Sequence, residues 1–358
     1  MTPDMSESAR SVIDDIRNTL GKETLADLPT PVRRYPAKLA GRAFEIFVKH
    51  DDRTGKTYGG NKLRKLEYLL HRTRVRHRRL IGTFGTVASN HALATAICSE
   101  RLGVPCVCFL SHQRITPRAG PILNMHARIG TTIVPFSGDY PARLRILRKN
   151  LWGREAGVIP AGGSSWLGAV GYVEAGVELA AQVAGGTCPP PDRVYVAAGT
   201  MGTAVGLALG FALAGLTSEI HAVRVSHTWL CNETSLRRLT VKTARMLCDR
   251  LPRFPDDLWR RVHLHLRHEF FAGGYAATDQ ATERAVRFAD DELGLALEGT
   301  YTGKAMAALI ADLGGSDGRE RILFWNTCNA RPLPVPSGAP LDPGRLPAEF
   351  LRYFRGVG

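Results

Sequence analysis

Paired cysteines are absent from this sequence. Its seven cysteines are an odd number, they are spread between Cys98 and Cys328, and no two of them stand at CxxC spacing. The sequence therefore predicts neither a zinc site nor a redox-active dithiol, and we expect no metal. Cys106 and Cys108 lie two residues apart in a predicted strand, where they would share one face.

Long hydrophobic runs are absent as well. The longest apolar stretch, residues 204–216, is interrupted by glycines and is shorter than the roughly 20 residues that a membrane-spanning helix requires. The first residues, MTPDMSESARSVIDDI, are polar and acidic and lack the apolar core of a signal peptide. We therefore expect a cytoplasmic protein without a membrane partner.

Acidic residues are scarce relative to basic ones. The chain has 47 Lys and Arg against 33 Asp and Glu, a formal charge of +14, and five arginines lie within residues 71–80. Such a patch can attract nucleic acid, but no zinc-finger spacing, RNP motif or aromatic-interleaved basic strand accompanies it. A solvated basic surface without a nucleic-acid partner is the preferred interpretation, with nucleic-acid binding as an alternative.

The chain does contain a regular alternation of short β-rich runs with longer helical patterns. Strands are predicted at 44–48, 80–83, 104–110, 132–135, 158–160, 193–197, 220–225, 262–266 and 322–325. Helices are predicted at 63–71, 92–101, 121–129, 169–183, 203–214, 282–293 and 303–313. This order predicts an α/β fold with open, twisted, mostly parallel sheets covered by helices. The tail beyond Asn329 carries six prolines by Pro347 and predicts an irregular segment ending in a docked turn, FLRYF.

The segment KTYGGNKLRKLEYLL, residues 56–70, places one lysine at the start of a helix. Gly59 and Gly60 allow a positive φ or a close approach to a flat ligand. Leucines at helical spacing anchor the helix that follows, so Lys62 would be a rigidly held amine facing a bound carbonyl group. Arg64 and Lys65 hold the ordinary positions of solvated helix cations. A plain turn is the alternative.

Two further strand-to-helix turns are candidates for anion binding. In AAGTMGTAVGL, backbone N–H groups and two hydroxyls at a helix N-terminus could hold a phosphate, and the residues concerned are Gly199, Thr200, Met201, Gly202 and Thr203. In SNHALATA, Ser89, Asn90 and His91 precede an apolar helix. A small-residue turn and a simple N-cap are the respective alternatives. The first loop lacks GxGxxG, which argues against a dinucleotide site.

Six blocks occur in the same order as in a known family. They are GGNKLRKLEYLL, SNHALATA, PAGGSSWLGAVGYVEA, AAGTMGTAVGL, GGYAATD and TYTGKAMAAL, and they span about residues 29 to 328. The chain resembles fold-type II pyridoxal-phosphate enzymes, in the branch of 1-aminocyclopropane-1-carboxylate deaminase and D-cysteine desulfhydrase. The resemblance implies a two-domain, tryptophan synthase beta-like fold and pyridoxal 5'-phosphate bound covalently to Lys62. It also implies a small domain, 65–173, inserted in a large domain of 1–64 plus 174–358, and a homodimer.

The resemblance also implies roles for individual residues. Asn90 would contact the phenolic oxygen of the cofactor, and Ser89 and His91 would hold the substrate carboxylate, with Gly163, Ser164 and Trp166 as a second candidate region for the substrate. Tyr275 and Tyr301 match two tyrosines of the substrate cavity, where a phenol whose pKa is lowered by cationic neighbours acts as acid or base. An ordinary buried tyrosine is the alternative for each. Thr327 matches the hydroxyl residue at the pyridine nitrogen.

Several departures from the family bear on the reaction. Met201 replaces a glycine of the phosphate loop, so its side chain must point away from the phosphate or the loop has shifted. Thr302, a cofactor-site candidate, stands where ring-opening deaminases carry Glu, and desulfhydrase-like members carry Thr. Ala88, Leu93, and the segment ALEGTY, residues 296–301, also differ from the family pattern. These residues indicate a divergent member and leave the substrate open.

The resulting functional expectation is a pyridoxal-phosphate lyase or deaminase acting on a small amino acid. Lys62 would remove the α-proton, and β-elimination would give a 2-oxo acid and ammonia. The neutral hydroxyl of Thr327 would make the cofactor ring a weaker electron sink, which favours elimination over transamination. Ring opening, racemisation and β-replacement are alternatives on the same scaffold. A cofactor-binding regulatory protein is the non-enzymatic alternative.

Overall fold

The computed structural model describes residues 5–315, 319–333 and 342–354. The strands are β1 (Val32–Leu39), β2 (Arg42–His50), β3 (Leu80–Thr86), β4 (Cys106–Ser111), β5 (Thr132–Pro135), β6 (Ala156–Ile159), β7 (Arg193–Ala198), β8 (Glu219–Arg224), β9 (Leu264–Arg267) and β10 (Ile322–Asn326). The helices are α1 (Met5–Leu20), α2 (Lys62–Val75), α3 (Asn90–Arg101), α4 (Ala119–Arg128), α5 (Tyr140–Leu151), α6 (Trp166–Ala184), α7 (Gly202–Ala214), α8 (Glu233–Cys248), α9 (Gln280–Leu293) and α10 (Thr302–Gly315).

The larger sheet has six strands in the order β1-β2-β10-β7-β8-β9. The pairings from β2 through β9 are parallel, and only β1 runs antiparallel to its neighbour, β2. The predicted α/β fold with mostly parallel sheets is confirmed. The sequence analysis missed β1, VRRYPAKL, because its charged residues and Pro36 do not read as a buried strand. Its position at the sheet edge explains how the proline is tolerated.

The smaller sheet has four strands in the order β5-β4-β3-β6, and all of its pairings are parallel. Every strand of this sheet lies between residues 80 and 159. That placement agrees with an inserted small domain at 65–173, although the exact boundaries stay a prediction. Each strand that the sequence predicted corresponds to a strand of one of the two sheets.

Three helices were not predicted from the sequence, namely α1, α5 and α8. Helix α5 has no fully buried residue, and its leucines at helical spacing lie among arginines, so its short apolar face is easily overlooked. Helix α8 does bury one face, and Asn232 caps it by accepting a hydrogen bond from the N–H of Ser235, but its three arginines and one lysine give it the appearance of a solvated basic segment. Within the described ranges, none of the helices has the length and apolarity needed to cross a bilayer.

A buried ion cluster lies beneath the start of α2. The guanidinium of Arg64 donates to both carboxylate oxygens of Asp51, at 2.9 and 3.1 Å, and to both of Glu178, at 2.9 and 3.0 Å. Asp51 also accepts from Tyr172 Oη at 2.6 Å and from Trp325 Nε1 at 2.9 Å. The cluster therefore connects the segment after β2 with α2, α6 and β10.

The expectation that Arg64 and Lys65 are solvated helix cations is wrong. Arg64 is 1% exposed and Lys65 is 2% exposed. Helix α2 is covered on several sides in its first two turns, with contacts to α3 and α6, so the polar side chains there are enclosed as well. A buried guanidinium is tolerated here because two carboxylates satisfy it bidentately.

The last described segment, Ala348–Phe354, forms a 3-10 helix that packs against the smaller sheet's connections. Phe350 and Tyr353 are fully buried. Tyr353 Oη accepts from the N–H of Gln113 at 3.0 Å and donates to its carbonyl oxygen at 3.0 Å. The predicted docked turn at FLRYF is confirmed, whereas residues 334–341 of the proline-containing tail lie outside the described residues.

The ion cluster predicts an acid-sensitive contribution to stability. Burial alone would raise the pKa of Glu178, but attraction by Arg64 and Lys49 outweighs it and lowers the pKa to about 2. A depressed carboxylate pKa stabilises the fold fully above the unfolded value, near 4.5, and loses that contribution as pH falls toward 2. We expect Glu178→Gln to lower the free energy of unfolding at pH 7 by roughly 3–5 kcal/mol.

Denaturant unfolding of wild type and Glu178→Gln between pH 7 and pH 3 tests this expectation. The free energy of unfolding of the variant should fall less steeply below pH 4.5, the ordinary pKa of a glutamate. Glu219→Gln, a change at a half-exposed carboxylate, is the matched control and should follow wild type. Equal acid dependence in all three proteins would contradict the role of Glu178.

Candidate active site

A cleft of about 530 Å³ lies where the carboxyl ends of the strands of both sheets meet. Its wall includes residues that follow β3, β4 and β5 on one side and β7, β8 and β10 on the other. Clefts beyond the carboxyl ends of parallel strands are the usual binding sites of α/β folds. Of the predicted site residues, the lining contains Lys62, Ser89, Asn90, His91, Gly199, Thr200, Met201, Thr203, Tyr275, Tyr301 and Thr327.

The turn before Lys62 is fixed by the exit of β10. Gly60 has a φ of 90°, and a Cβ there would lie 3.0 Å from the carbonyl oxygen of Thr327. A Cβ on Gly59 would collide with the carbonyl oxygen of Asp52. The N–H of Asn61 donates to the Thr327 carbonyl at 3.0 Å. The predicted close approach thus exists, but it is to the protein's own backbone, which sets the direction of Lys62.

The amine of Lys62 projects into the cleft from the first residue of α2. It donates a short hydrogen bond to Asn61 Oδ1. Burial lowers the pKa of Lys62 to about 8. A lysine with such a pKa carries a larger neutral fraction near pH 7 than a surface lysine, and the neutral amine is the form that attacks a carbonyl carbon.

The loop before α7 presents donors at a helix N-terminus. Met201 adopts the left-handed conformation, with a φ of 61°, and its side chain is buried in the main hydrophobic core. Met201 therefore adopts the left-handed backbone conformation that glycine favours, and its side chain packs into the protein core. Thr200 Oγ1 lies 2.6 Å from Ser164 Oγ, and Asn61 Nδ2 donates to Thr203 Oγ1 at 3.0 Å. The hydrogen bond between Asn61 and Thr203 thus connects this loop to the turn that precedes Lys62.

Lys65 adds a buried cation beside this loop. Its Nζ lies 3.3 Å from the carbonyl oxygen of Gly162 and 3.5 Å from Ser164 Oγ. A Cβ on Gly202, at the start of α7, would lie 3.2 Å from the same Nζ. Burial, followed by repulsion from Lys62, lowers the pKa of Lys65 well below its usual value. Among the described residues no carboxylate pairs with Lys65, so a bound anion is the partner that this arrangement fits.

Ser89 and Asn90 begin helix α3 at the cleft wall. Ser89 is the N-cap, and its Oγ accepts from the N–H of Ala92 at 3.2 Å. Asn90 Oδ1 accepts from Tyr58 Oη at 3.0 Å and from Arg118 Nη2 at 3.3 Å. Since both neighbours are donors, the Asn90 Nδ2 group is left to donate into the cleft. This geometry suits contact with an oxygen atom such as the phenolic oxygen of the expected cofactor.

His91, expected to help hold the substrate carboxylate, is a buried residue of the cleft wall. It is 3% exposed, and its Nε2 lies 3.0 Å from Thr83 Oγ1. Burial and the positive charges of Lys62 and Lys65 lower the pKa of His91 well below its usual value. The imidazole is therefore neutral near pH 7 and brings no positive charge to the site.

Tyr275 and Tyr301 form a hydrogen-bonded pair in the cleft wall. Their rings meet edge to face with centroids 5.9 Å apart. Burial raises the pKa of Tyr301 well above its usual value, and it raises that of Tyr275 as well. The condition of a pKa lowered by cationic neighbours is not met, because burial dominates at both phenols. The pair stays protonated at neutral pH and can give a proton rather than take one.

Lys304 fixes the loop that carries Tyr275. It is fully buried in the first turn of α10, and its Nζ donates to the carbonyl oxygens of Phe271 at 2.7 Å and Gly274 at 3.0 Å. Burial lowers the pKa of Lys304 to about 8. A cation in the first turn of a helix opposes the helix dipole, so its carbonyl contacts must stabilise it.

Five predicted site residues do not line the cleft: Gly163, Ser164, Trp166, Gly202 and Thr302. Ser164 and Gly202 lie just behind the lining, where the Gly202 N–H donates to Ser164 Oγ at 3.2 Å. The ring of Trp166 instead stacks with Arg72 and Arg250, with guanidinium carbons 5.9 and 5.0 Å from its centroid. Thr302 is fully buried, and its N–H and hydroxyl both donate to Glu298 Oε1.

Several residues of the site were missed by sequence reasoning, namely Tyr58, Lys65, Arg118, Glu298 and Lys304. Lys65 follows Lys62 by three residues, a spacing that puts both side chains on one helix face and could have revealed it. The unfavourable place of Lys304 in a first helical turn was a similar signal. Glu298 accepts from the N–H groups of residues 300–302 and caps α10. Tyr58 and Arg118 gave no signal, because only the fold brings them to Asn90.

Comparison with known proteins identifies the family. The family described as "Pyridoxal-phosphate dependent enzyme" matches residues 23–327. D-cysteine desulfhydrase of Salmonella choleraesuis (strain SC-B67) is 34% identical over 294 residues, covering 80% of this chain and 86% of the relative. The enzyme of the same name from Salmonella paratyphi A is 33% identical over 297 residues, with coverage of 80% and 86%.

Solved structures share the fold. The crystal structure of an ACC deaminase homologue superposes with a TM-score of 0.72 at 24% identity, covering 92% of this chain and 96% of that chain. The L-serine ammonia-lyase of Rhizomucor miehei superposes with a TM-score of 0.58 at 16% identity, with coverage of 92% and 98%. With a family match spanning most of its length and relatives a third identical, this chain belongs to the pyridoxal-phosphate dependent enzymes.

Proposed function

We propose that this enzyme is a lyase that removes the α-proton of a small amino acid and eliminates its β-substituent, giving a 2-oxo acid and ammonia. D-cysteine is the first substrate to test, since relatives 34% identical are D-cysteine desulfhydrases. One observation carries the proposal: the cleft combines an amine of lowered pKa, Lys62, with the protonated pair Tyr275 and Tyr301. A base and an acid are what an elimination requires.

The residues present fit the cofactor. Its phosphate would be held by the N-terminus of α7, the hydroxyls of Thr200 and Thr203 and the ammonium of Lys65, while Asn90 would donate to its phenolic oxygen. Thr327, at the exit of β10, would meet its ring nitrogen. When bound, the cofactor withdraws electrons from the α-carbon of the amino acid attached to it. Lys62 is the covalent attachment point in the absence of substrate.

The proposed proton transfers use Lys62 as the base and the pair Tyr275 and Tyr301 as the acid. Lys62 Nζ takes the proton as the Cα–H bond breaks, since its lowered pKa leaves a neutral fraction near pH 7. The electron pair of the Cβ–S bond leaves with sulfur, and the pair Tyr275 and Tyr301 provides the proton for that sulfur. With D-cysteine and one water, the products are pyruvate, hydrogen sulfide and ammonia. Ser89 and the first N–H groups of α3 are the proposed holders of the substrate carboxylate.

Elimination is preferred over ring opening of 1-aminocyclopropane-1-carboxylate. Thr302 stands in place of a carboxylate, and its hydroxyl is bound to Glu298 instead of lining the cleft. Racemisation and β-replacement use the same lysine and differ in the fate of the substrate. Assays of the holoenzyme with D-cysteine, L-cysteine, β-chloro-D-alanine and the cyclopropane amino acid separate these reactions. A holoenzyme that binds all four compounds and converts none would support the regulatory alternative.

We also propose a cytoplasmic homodimer. The seven cysteines are free thiols, the state that a reducing compartment maintains. Two large aromatic side chains, Trp152 and Trp229, are each 77% exposed, which suits coverage by a second chain. Light scattering on the purified protein should give a mass near twice 39.1 kDa.

Borohydride reduction tests the attachment of the cofactor to Lys62. We expect reduction of the yellow holoenzyme to leave a phosphopyridoxyl group on the peptide containing Lys62, because this amine projects into the cleft with a lowered pKa. Peptide mass spectrometry should find Lys65 unmodified despite its similar depth. Lys62→Ala should lose the modification and all turnover while still binding the cofactor without a covalent bond. A label on any other lysine would overturn the assignment.

Substitution of Lys65 tests the phosphate site. Lys65→Met removes one charged hydrogen-bond donor, so the affinity for pyridoxal phosphate should fall about ten- to hundredfold. The affinity for pyridoxal, which lacks the phosphate, should change much less, and absorbance titration of the apoprotein measures both. Lys56→Met, at an exposed position of the same segment, is the matched control. An equal loss for both ligands would show that Lys65 does not act on the phosphate.

Substitution of Lys304 tests the positioning of Tyr275. Lys304→Met removes the donor that holds the carbonyls of Phe271 and Gly274, so Tyr275 should lose its orientation and kcat should fall at least about tenfold. Cofactor affinity should stay near that of wild type, since Lys304 does not line the cleft. Lys242→Met, on the exposed face of α8, is the control. Unchanged kcat with D-cysteine would contradict this role.

A further inference from the structure

The charges along the cleft are of one sign. Among the described residues that line it, the lysines and arginines are Lys62, Lys65, Arg114 and Arg143, and there is no Asp or Glu. The proposed function uses Lys62 for attachment and Lys65 for the cofactor phosphate. Arg114 and Arg143 are therefore two cations of the cleft wall that have no role in the proposed elimination.

The topology of the smaller sheet brings these two arginines to the same side of the cleft. Arg114 follows β4, and Arg143 lies in the first turn of α5, the helix after β5. Strands β4 and β5 are parallel neighbours, paired through Leu110 and Pro135. Because neighbouring parallel strands end at the same sheet edge, both side chains rise from adjacent points of the cleft rim.

Contacts within the protein hold the part of the wall that carries them. The guanidinium carbon of Arg143 lies 5.3 Å from the ring centroid of Phe136, a cation–π contact. The loop before Arg114 is held by the C-terminal segment, since Tyr353 Oη bonds both backbone groups of Gln113. His112 adds a hydrogen bond to Glu349 at 2.7 Å.

Neither arginine is neutralised by a described residue. No ion pair joins Arg114 or Arg143 to a carboxylate within the described ranges. The acids nearby are otherwise engaged: Asp139 caps α5 by accepting from the N–H of Ala142 at 2.9 Å, and Glu349 is bonded to His112. The positive potential at this rim is therefore open to a ligand.

The cleft also has room and an apolar path toward this rim. Phe84 and Phe136 both line it, with ring centroids 5.4 Å apart. A volume of about 530 Å³ falls within the range of pockets that bind molecules of drug size. A short apolar stem could run along the phenylalanine rings from the lysine to the two arginines.

We propose that Arg114 and Arg143 form a subsite for an anionic group at the far end of the substrate's β-substituent. The substrate class is then an amino acid whose leaving group ends in a carboxylate, sulfonate or phosphate. This inference rests on the proposed elimination and adds the nature of the leaving group. Arg143 gives the subsite its bidentate donor pair, and Arg114 adds a second positive charge.

A pair of substrates that differ only in that charge tests the subsite. S-carboxymethylcysteine ends in a carboxylate, and S-carbamoylmethylcysteine ends in a neutral amide of nearly the same shape. We expect the holoenzyme, assayed with the D and L forms, to show a kcat/KM about ten- to hundredfold higher for the carboxylate.

Substitutions of the two arginines test whether they cause the preference for the carboxylate substrate. Arg143→Gln and Arg114→Gln should each reduce the carboxylate-to-amide ratio by about tenfold, with the loss mainly in KM, and Arg143→Lys should restore part of it. Arg145→Gln, on the same helix but outside the lining, is the matched control and should keep the wild-type ratio. Turnover of D-cysteine should be nearly unchanged in all four variants, because its β-substituent is a single sulfur atom without a terminal anionic group.

The outcomes separate this inference from the proposed function. Turnover of D-cysteine with a carboxylate-to-amide ratio near one in wild type would overturn the subsite and leave the elimination intact. If no compound were turned over, the dissociation constants of S-carboxymethylcysteine and S-carbamoylmethylcysteine would still test the subsite. Both constants can be measured from the absorbance of the holoenzyme. Equal dissociation constants for the two compounds, or a ratio that survives Arg143→Gln together with Arg114→Gln, would also overturn it.

Discussion

The bidentate ion pairs of Arg64 with Asp51 and Glu178 are the interactions on which the site depends most. It joins the segment after β2, the helix that begins at Lys62, and α6, and Trp325 of β10 donates into the same cluster. Helix α2 begins at the cleft and β10 ends beside it, so a shift within the cluster would move the lysine relative to the loop before α7. Replacing such a cluster by apolar residues can leave stability intact, but it would remove the directional bonds that set this register.

The chemistry depends on burial acting in opposite directions on two kinds of group. Enclosure disfavours the charged form of every titratable side chain, so it lowers the pKa of Lys62 and raises that of Tyr301. The amine thereby becomes a better base, while the phenol holds its proton. The low polarity of the cleft thus sets the protonation state of both the amine and the phenol. No charged neighbour is needed beside the tyrosines.

Much of the fold was predictable because parallel sheets are built from apolar runs that stand out in a sequence. Strand β1 escaped because an edge strand with charged residues and a proline has no apolar run, and helix α5 escaped because its few apolar residues lie among arginines. In the site, Lys62 and the α7 loop were predictable from glycine-rich turns before helices. The burial of Lys65, the neutral state of His91 and the contacts of Arg118 depend on packing between distant segments, which local patterns do not encode.

The turn that directs Lys62 is closed by residues that follow it by more than 250 positions in the sequence. The N–H of Gly59 donates to Asn329 Oδ1 across 270 residues of sequence, and β2 pairs directly with β10. Contacts this distant in sequence form late, because the long intervening loop must first be ordered. The turn that directs Lys62 therefore cannot close during synthesis before the segment through Asn329 has emerged. A chain that stops short of this segment would carry the lysine without the support that aims its amine into the cleft.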